Sequence, residues 1–193
     1  VAKNILSGCG VSISNLNSSE CIPHFGGNQG PAYPFFVASI FYFFGENLNF
    51  VRYAQLLIFS ISLIYFFRTI EKFNIENNKF KLLVIFLSLS PITFPWSRFI
   101  GADTLSLSFL LVYFSFFINS LYKNKIDIIP LSILLGAGSY FRLDFIFLSL
   151  TLLVFFYLYP SKKKFFTDGI KMFAICLLIW TPWTIRNLLK EVA

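Results

Sequence analysis

The sequence has little charge and few of the residues that build the active site of a soluble enzyme. Only 13% of its 193 residues are charged, about half the share of an ordinary soluble domain, and His24 is the single histidine. One histidine cannot supply the ligand cluster of a zinc site. The sequence also has no Walker loop, no dinucleotide-binding glycine motif and no Ser/His/Asp order. The familiar templates of soluble enzymes are therefore excluded.

In this sequence, no basic stretch with a small-residue cleavage site precedes the apolar segments. The chain starts at Val1 and stops shortly after Trp183, so we expect it to be a fragment that lacks its first transmembrane helix and its C-terminal part. What it does have is apolar: 56% of the residues are hydrophobic and 27 are Phe. This composition predicts an all-α, polytopic transmembrane helical bundle.

Apolar runs long enough to cross a membrane, some of them only marginally, follow one another along most of the chain. Six spans are predicted: residues 50–70, 82–99, 104–122, 126–141, 143–159 and 165–183. The net charge of +7 lies mainly in short lysine-rich clusters between these spans, the pattern of cytoplasmic loops. The charge therefore predicts a membrane orientation, and we expect no nucleic-acid partner.

This orientation places residues 1–49 on the outer, periplasmic side of a cell (inner) membrane, and 187–193 begin the next outer segment. The stretch of residues 34–45, between Pro34 and Gly45, is too short to span the hydrocarbon and predicts an interfacial helix. Cys9 and Cys21 lie in the outer loop, where a disulfide and two thiols are equally compatible with the sequence. Gly136 and Gly138 predict a close approach of helices.

The arginines run against the charge rule that sets topology. Four of the five lie on the predicted outer side, whereas most lysines lie inside. They are Arg52, Arg98, Arg142 and Arg186. Arginine presents a planar fork of donors that suits phosphate and carboxylate. Two interpretations stay open. In one, the arginine side chains extend to the membrane interface at helix ends, beside Asp103, Asp144 and Glu46; in the other, they line an outer cavity that binds an anion.

Four segments, taken in order, resemble the membrane-embedded C-type glycosyltransferases, the bacterial relatives of protein O-mannosyltransferases and of the lipid A aminoarabinose transferase. They read GNQGPAYPFFVASIFYFFGENLNFVRYAQ, SRFIGADTLSLSFLL, GAGSYFRLD and PWTIRN. The residues that match the family's motifs are Pro31, Tyr33, Pro34, Phe44, Gly45 and Arg52, and later Pro182, Trp183, Thr184, Arg186 and Asn187. The last motif is the most specific of the set.

The resemblance implies transfer of a hexose or pentose from a polyprenyl-phosphate donor to a lipid, glycan or protein acceptor at the outer face. It places the essential acidic residue upstream of Val1, so the catalytic residue is unknown here and Asp103 is a supporting candidate that orients sugar hydroxyls, binds a metal or pairs with Arg98. The expected phosphate-binding residues are Arg98, Arg142 and Arg186. The expected outer-loop substrate contacts are His24, Asn28, Gln29, Tyr33 and Arg52.

No cofactor is predicted, although a divalent metal is compatible with the chemistry. The alternative functions are a transporter, a flippase or a polysaccharide polymerase that handles a lipid-linked anionic glycan, and a structural subunit. A transporter would use outer arginines in the same way, and inverted repeats of the spans would favour it.

Overall fold

The computed structural model describes residues 1–14, 21–23, 30–72, 101–123, 127–148 and 163–191. Most of these residues are helical. Residues 144–148 form a short helical segment in addition to the elements named next. The elements in chain order are α1 (Ala2–Leu6), β1 (Ser12–Ser14), β2 (Cys21–Pro23), α2 (Ala32–Phe44), α3 (Leu48–Lys72), α4 (Ala102–Tyr122), α5 (Ile128–Ser139) and α6 (Lys163–Glu191). The predicted span at 82–99 and most of that at 143–159 lie outside the described residues.

Three helices in the described ranges are long and apolar enough to cross a membrane, namely Leu48–Lys72, Ala102–Ser120 and Thr167–Leu189. Each coincides with a predicted span, which confirms the all-α transmembrane class. Helix α5 is apolar but has 12 residues, which rise about 18 Å. The number of crossings and their orientation stay predictions.

Helix α2 begins at Ala32, two residues before the predicted start at Pro34. Pro34 is tolerated there because the N–H groups of a helix's first turn have no partner within the helix. The helix ends at Gly45, whose φ of 78° lies in the left-handed region that glycine enters without strain. Its 13 residues rise about 20 Å, less than the roughly 30 Å of hydrocarbon.

The start of α2 is bonded to the segment that follows α5. The N–H of Gly30 donates to the carbonyl of Phe141 (3.3 Å), and the N–H of Ala32 donates to that of Tyr140 (3.0 Å). The two backbones approach so closely that a Cβ on Gly30 would lie 2.0 Å from the carbonyl oxygen of Tyr140. This pairing holds the backbone immediately before Arg142 in place.

We expect Gly30→Ala to destabilise the protein because its Cβ would push the Tyr140 backbone away and break both bonds. Overpacking of this kind costs about 1–3 kcal/mol, so the melting temperature of the purified protein in detergent should fall by roughly 3–10 °C. Gly101→Ala is the matched control, since among the described residues a Cβ there meets its nearest atom at an ordinary 3.6 Å. Equal melting temperatures for both variants and the wild type would contradict the close approach.

Helix α4 connects the two apolar clusters of the described region. Near its start, Ala102 and Leu105 pack with Val51 of α3 and with Tyr33, Val37 and Phe41 of α2. Further along, Tyr113 and Phe117 pack with residues of α5 and α6 and with Phe145. These are Leu131, Leu135, Met172 and Cys176. The start of α4, where Asp103 lies, is therefore fixed by packing on α2 and α3.

Helices α5 and α6 pack closely, as the glycines of α5 predict. A Cβ on Gly136 would lie 2.8 Å from side-chain atoms of Ile179. Just beyond α5, the hydroxyl of Tyr140 donates to the carbonyl of Ile179 (2.7 Å), and its ring meets Trp180 edge to face at 5.1 Å. Helix α6 continues through Pro182 to Glu191, so residues 187–191, predicted to begin an outer segment, are helical.

The N-terminal loop contains an antiparallel pair of short strands, β1 and β2, that the sequence did not predict. The buried amide of Asn4 donates to the carbonyl (3.1 Å) and to the hydroxyl (3.2 Å) of Ser12. Cys9 is disulfide-bonded, where the sequence left a disulfide and a thiol equally open, and Cys176 is a buried thiol.

Candidate functional site

Two carboxylates enclose one guanidinium where α4 begins and α5 has ended. Arg142 Nη1 donates to Asp103 Oδ1, Nε donates to Asp144 Oδ2 at 2.9 Å, and Nη2 lies 2.8 Å from the same Asp144 oxygen. All three nitrogens of the Arg142 guanidinium thus lie against a carboxylate oxygen. The sequence offered a pairing of Asp103 with Arg98 as one of three roles, and Arg98 lies outside the described residues; in the structure Asp103 accepts from Arg142.

Local structure explains why these three side chains meet. Helix α5 ends at Ser139, and the N–H groups of Phe141 and Arg142 both bond back to the carbonyl of Gly138 (2.9 and 3.0 Å), which satisfies the end of the helix. The chain turns there and projects Arg142 towards α4. Asp103 lies in the first turn of α4, where the helix dipole stabilises a negative charge.

Electrostatics keep Arg142 charged. Burial by itself lowers the pKa of its guanidinium, but the charges of Asp144 and Asp103 and their hydrogen bonds outweigh that effect and raise the pKa above its usual value. The Arg142 and Asp103 side chains are 39% and 36% exposed, and ion pairs this open to water contribute little stability. The cluster is therefore better explained by a role at a site than by a need to stabilise the fold.

A cavity of about 350 Å³ opens beside this cluster. Asp103, Arg142, Asp144 and Ser106 form its polar part. Its apolar wall consists of Leu107, Leu110, Phe145 and Leu148. A few polar groups that converge on an otherwise apolar wall are typical of a small-molecule site. Among the described residues, no group of three or more His, Cys, Asp or Glu side chains is placed to hold a metal ion.

Arg186 lies on the other side of the turn that follows α5, near the end of α6. Its Nη2 donates to the carbonyl of Val11 (3.1 Å), and its Nη1 donates to Asn187 Oδ1 (2.8 Å). The guanidinium carbon lies 4.5 Å from the centre of the Trp183 ring, which is a cation–π distance. Arg186 therefore joins the last described helix to the N-terminal loop.

Two apolar grooves of about 630 and 620 Å³ meet at Arg186 and Pro182. The first runs between α2, the turn after α5, and α6. It is lined by Pro31, Ala32, Phe35, Ala137, Tyr140, Phe141, Ile179, Pro182, Trp183 and Arg186. Phe141 lines this groove, and the next residue, Arg142, lines the polar cavity. The apolar groove and the charged cavity are therefore neighbours.

The contacts unite the segments predicted to share the outer side, since Asp103 meets Arg142 and Arg186 meets Val11. Which side of a membrane they face stays a prediction. Among the expected substrate contacts, Arg52 is exposed and donates to Asn49 Oδ1 at 3.1 Å. Tyr33 is buried in the cluster at the start of α4, which gives it a packing role. His24, Asn28 and Gln29 lie outside the described residues.

Sequence reasoning missed Gln55, a fully buried amide on α3 whose Nε2 donates to the carbonyl of Gly101 at 2.8 Å. The signal was present, because Gln55 is a single amide within an apolar run and polar side chains in such runs are costly unless they have a purpose. Tyr140 was also missed, although it stands beside Arg142 in the quoted GAGSYFRLD segment.

The fold and the charged cavity define a helical membrane protein with a site at one end of its helices. The sequence profile of the dolichyl-phosphate-mannose-protein mannosyltransferase family matches residues 28–185. The chain belongs to this family of membrane glycosyltransferases, which confirms the resemblance. No curated protein and no solved structure matches the chain.

Proposed function

We propose that the protein transfers a sugar from a polyprenyl-phosphate donor to an acceptor at the outer face of the inner membrane. One observation carries the proposal: the charged cavity at Arg142 and the apolar groove that ends at Arg186 adjoin each other. A donor with a long apolar chain, a phosphate and a sugar needs this combination of surfaces. Family membership supports transfer over the alternatives of a transporter, a flippase, a polymerase or a structural subunit.

In this proposal the lipid chain lies along the groove between α2 and α6. The phosphate lies where the groove meets the cavity, within reach of Arg186 and Arg142, and Arg98 is a third candidate. The sugar enters the polar cavity, where the carboxylates of Asp103 and Asp144 accept hydrogen bonds from its hydroxyls. Asp103 is in this way a supporting residue rather than the base.

The reaction is a displacement at the anomeric carbon. The acceptor hydroxyl oxygen forms the new bond, a carboxylate takes its proton, and the bond to the lipid phosphate breaks with the electron pair going to the phosphate. Negative charge grows on the leaving phosphate, and a fixed guanidinium stabilises it better than water that must reorient. Because Arg142 is held by two carboxylates, its position is set before the donor arrives.

Purified full-length protein in lipid provides the direct test. We expect radiolabelled sugar to pass from a polyprenyl-phosphate sugar to an endogenous lipid, glycan or protein fraction. A nucleotide sugar should give no product, since the donor surface is built for a lipid. Transfer from the nucleotide sugar alone would contradict the proposal.

Arg186→Lys should lower donor-dependent turnover about tenfold, less than the roughly hundredfold that follows complete removal of a donor to a developing charge. Lysine keeps the positive charge but not the planar fork that stacks on Trp183 and reaches Val11. Turnover is measured at equal protein level. Arg68→Lys, an exposed arginine on α3 far along the helix, is the control and should keep wild-type turnover. Full activity of Arg186→Lys would favour the snorkelling interpretation.

A further inference from the structure

A buried polar cluster lies behind the cavity, at the point where α2, α3 and the start of α4 meet. Gln55 is fully buried, and its Nε2 donates to the carbonyl of Gly101 at 2.8 Å. Gly101 immediately precedes α4, and Asp103 follows two residues later. The amide of Gln55 therefore attaches α3 to the residue from which the first turn of α4 starts.

Two polar atoms in this cluster have no hydrogen-bond partner within the part of the chain that the structure describes: Gln55 Oε1 and the hydroxyl of Tyr33. The two side chains are neighbours, and burial raises the pKa of the Tyr33 hydroxyl, an effect that Gln55 opposes and the charge of Asp103 reinforces. The Tyr33 hydroxyl therefore stays protonated and can donate a hydrogen bond, and Gln55 Oε1 is an acceptor on the neighbouring side chain. A small movement, or one water molecule, would complete the chain from Tyr33 through Gln55 to Gly101.

Leaving polar atoms unpaired in an apolar interior costs folding free energy, and an apolar residue of the same length would avoid that cost. The other buried polar side chains of α3 bond within their own helix: Ser62 donates to the carbonyl of Ile58 (2.9 Å) and Thr69 to that of Tyr65 (3.0 Å). Gln55 differs because its bond crosses to the segment that carries Asp103.

We propose that Gln55, supported by Tyr33, is a positioning residue that sets the start of α4 and thereby holds the Asp103 carboxylate opposite Arg142. Gln55 is fully buried and is not among the residues that line the cavity, so it acts on the site through its bond to the backbone of Gly101. The consequence for catalysis rests on the proposed function, whereas the consequence for the position of Asp103 does not.

The first test is kinetic and uses Gln55→Met, which keeps the side-chain length and removes both polar atoms. We expect kcat for donor-dependent transfer to fall about tenfold with little change in donor KM. In an Asp103→Asn background the same change should have no further effect, because residues that act through one another are not additive. Multiplicative losses would show that Gln55 acts independently of Asp103 and would overturn the proposal.

The second test does not depend on transfer. The thiol introduced by Asp103→Cys is labelled with a charged, water-soluble reagent, and the labelling rate should change at least threefold when Gln55→Met or Gln55→Asn is added. Gln55→Asn keeps an amide but is one methylene too short to reach Gly101, and it serves if the Met variant folds poorly. Ser62→Ala is the control and should leave the rate unchanged. Equal labelling rates in all these variants would contradict the proposal, whether or not the wild type transfers sugar.

Discussion

Arg142→Met should lower donor-dependent turnover by about a hundredfold or more, the loss seen when a donor aimed at a developing charge is removed from a site. The change removes the positive charge that lies between Asp103 and Asp144 in the described part of the cavity. Their charges would then repel the donor phosphate as well as each other. The measurement is sugar transfer by purified full-length protein, with the protein level held equal to that of the wild type.

Arg142→Lys tests whether turnover depends on the planar geometry of the guanidinium in addition to its positive charge. Lysine supplies one point charge, which cannot bond Asp103 and Asp144 in the arrangement that Nε, Nη1 and Nη2 adopt together. We expect a loss of about tenfold or more in turnover, on the order of one oriented hydrogen bond, with expression unchanged. If lysine at this position supports wild-type turnover, a charge at a helix end is sufficient and the phosphate-binding role fails.

Asp103→Asn should reduce turnover by about ten- to a hundredfold and leave membrane insertion intact. The amide has nearly the shape of the carboxylate, so packing at the start of α4 is kept. It lacks the charge that orients Arg142, and charge-assisted bonds are roughly twice as strong as neutral ones. The side chain is 36% exposed, so little folding free energy depends on it.

The control for this variant is Asp127→Asn, at the start of α5, where the aspartate side chain makes no capping bond. Its turnover and protein level should match the wild type. If Asp103→Asn lowers the amount of inserted protein as much as it lowers transfer, Asp103 has a structural role and the site loses its supporting residue.

The long apolar helices were predictable because a helix that is surrounded by lipid needs a long, continuous run of apolar residues. Residues 50–70 and 104–122 were predicted where the structure has Leu48–Lys72 and Ala102–Tyr122. Helix α2 was found from its length and from Gly45. The shift of its start to Ala32 reflects the backbone bonds to Tyr140 and Phe141, which no local pattern encodes.

The sequence singled out several residues that the structure brings close together, but it did not predict their contacts. Arginines on the predicted outer side pointed to Arg142 and Arg186, and the acidic start of a span pointed to Asp103. Asp103 and Arg142 are 39 positions apart, and a pairing over that distance follows from how α4 packs rather than from spacing. Tyr33 was named from its place in a motif; its side chain is buried where α2, α3 and α4 meet, and its contact with substrate stays a prediction.

The strands β1 and β2 gave no usable signal, because three-residue strands among Ser and Gly are too short for an alternating pattern. Their position is explained by contacts that only the structure reveals. Asn4 bonds Ser12, and Arg186 bonds the carbonyl of Val11, so the loop is attached to α1 at one point and to α6 at another.

The most direct measurement of the central claim locates the donor on the protein. A polyprenyl phosphate that carries a photoreactive diazirine in its first isoprene units is bound to the full-length protein, irradiated, and mapped by mass spectrometry. We expect labels at Phe35 or Ile179, which line the groove between α2 and α6, and we expect donor without the diazirine to compete with this labelling. Labels confined to the exposed face of α3, at Tyr53 or Leu57, would contradict binding of the donor in the groove.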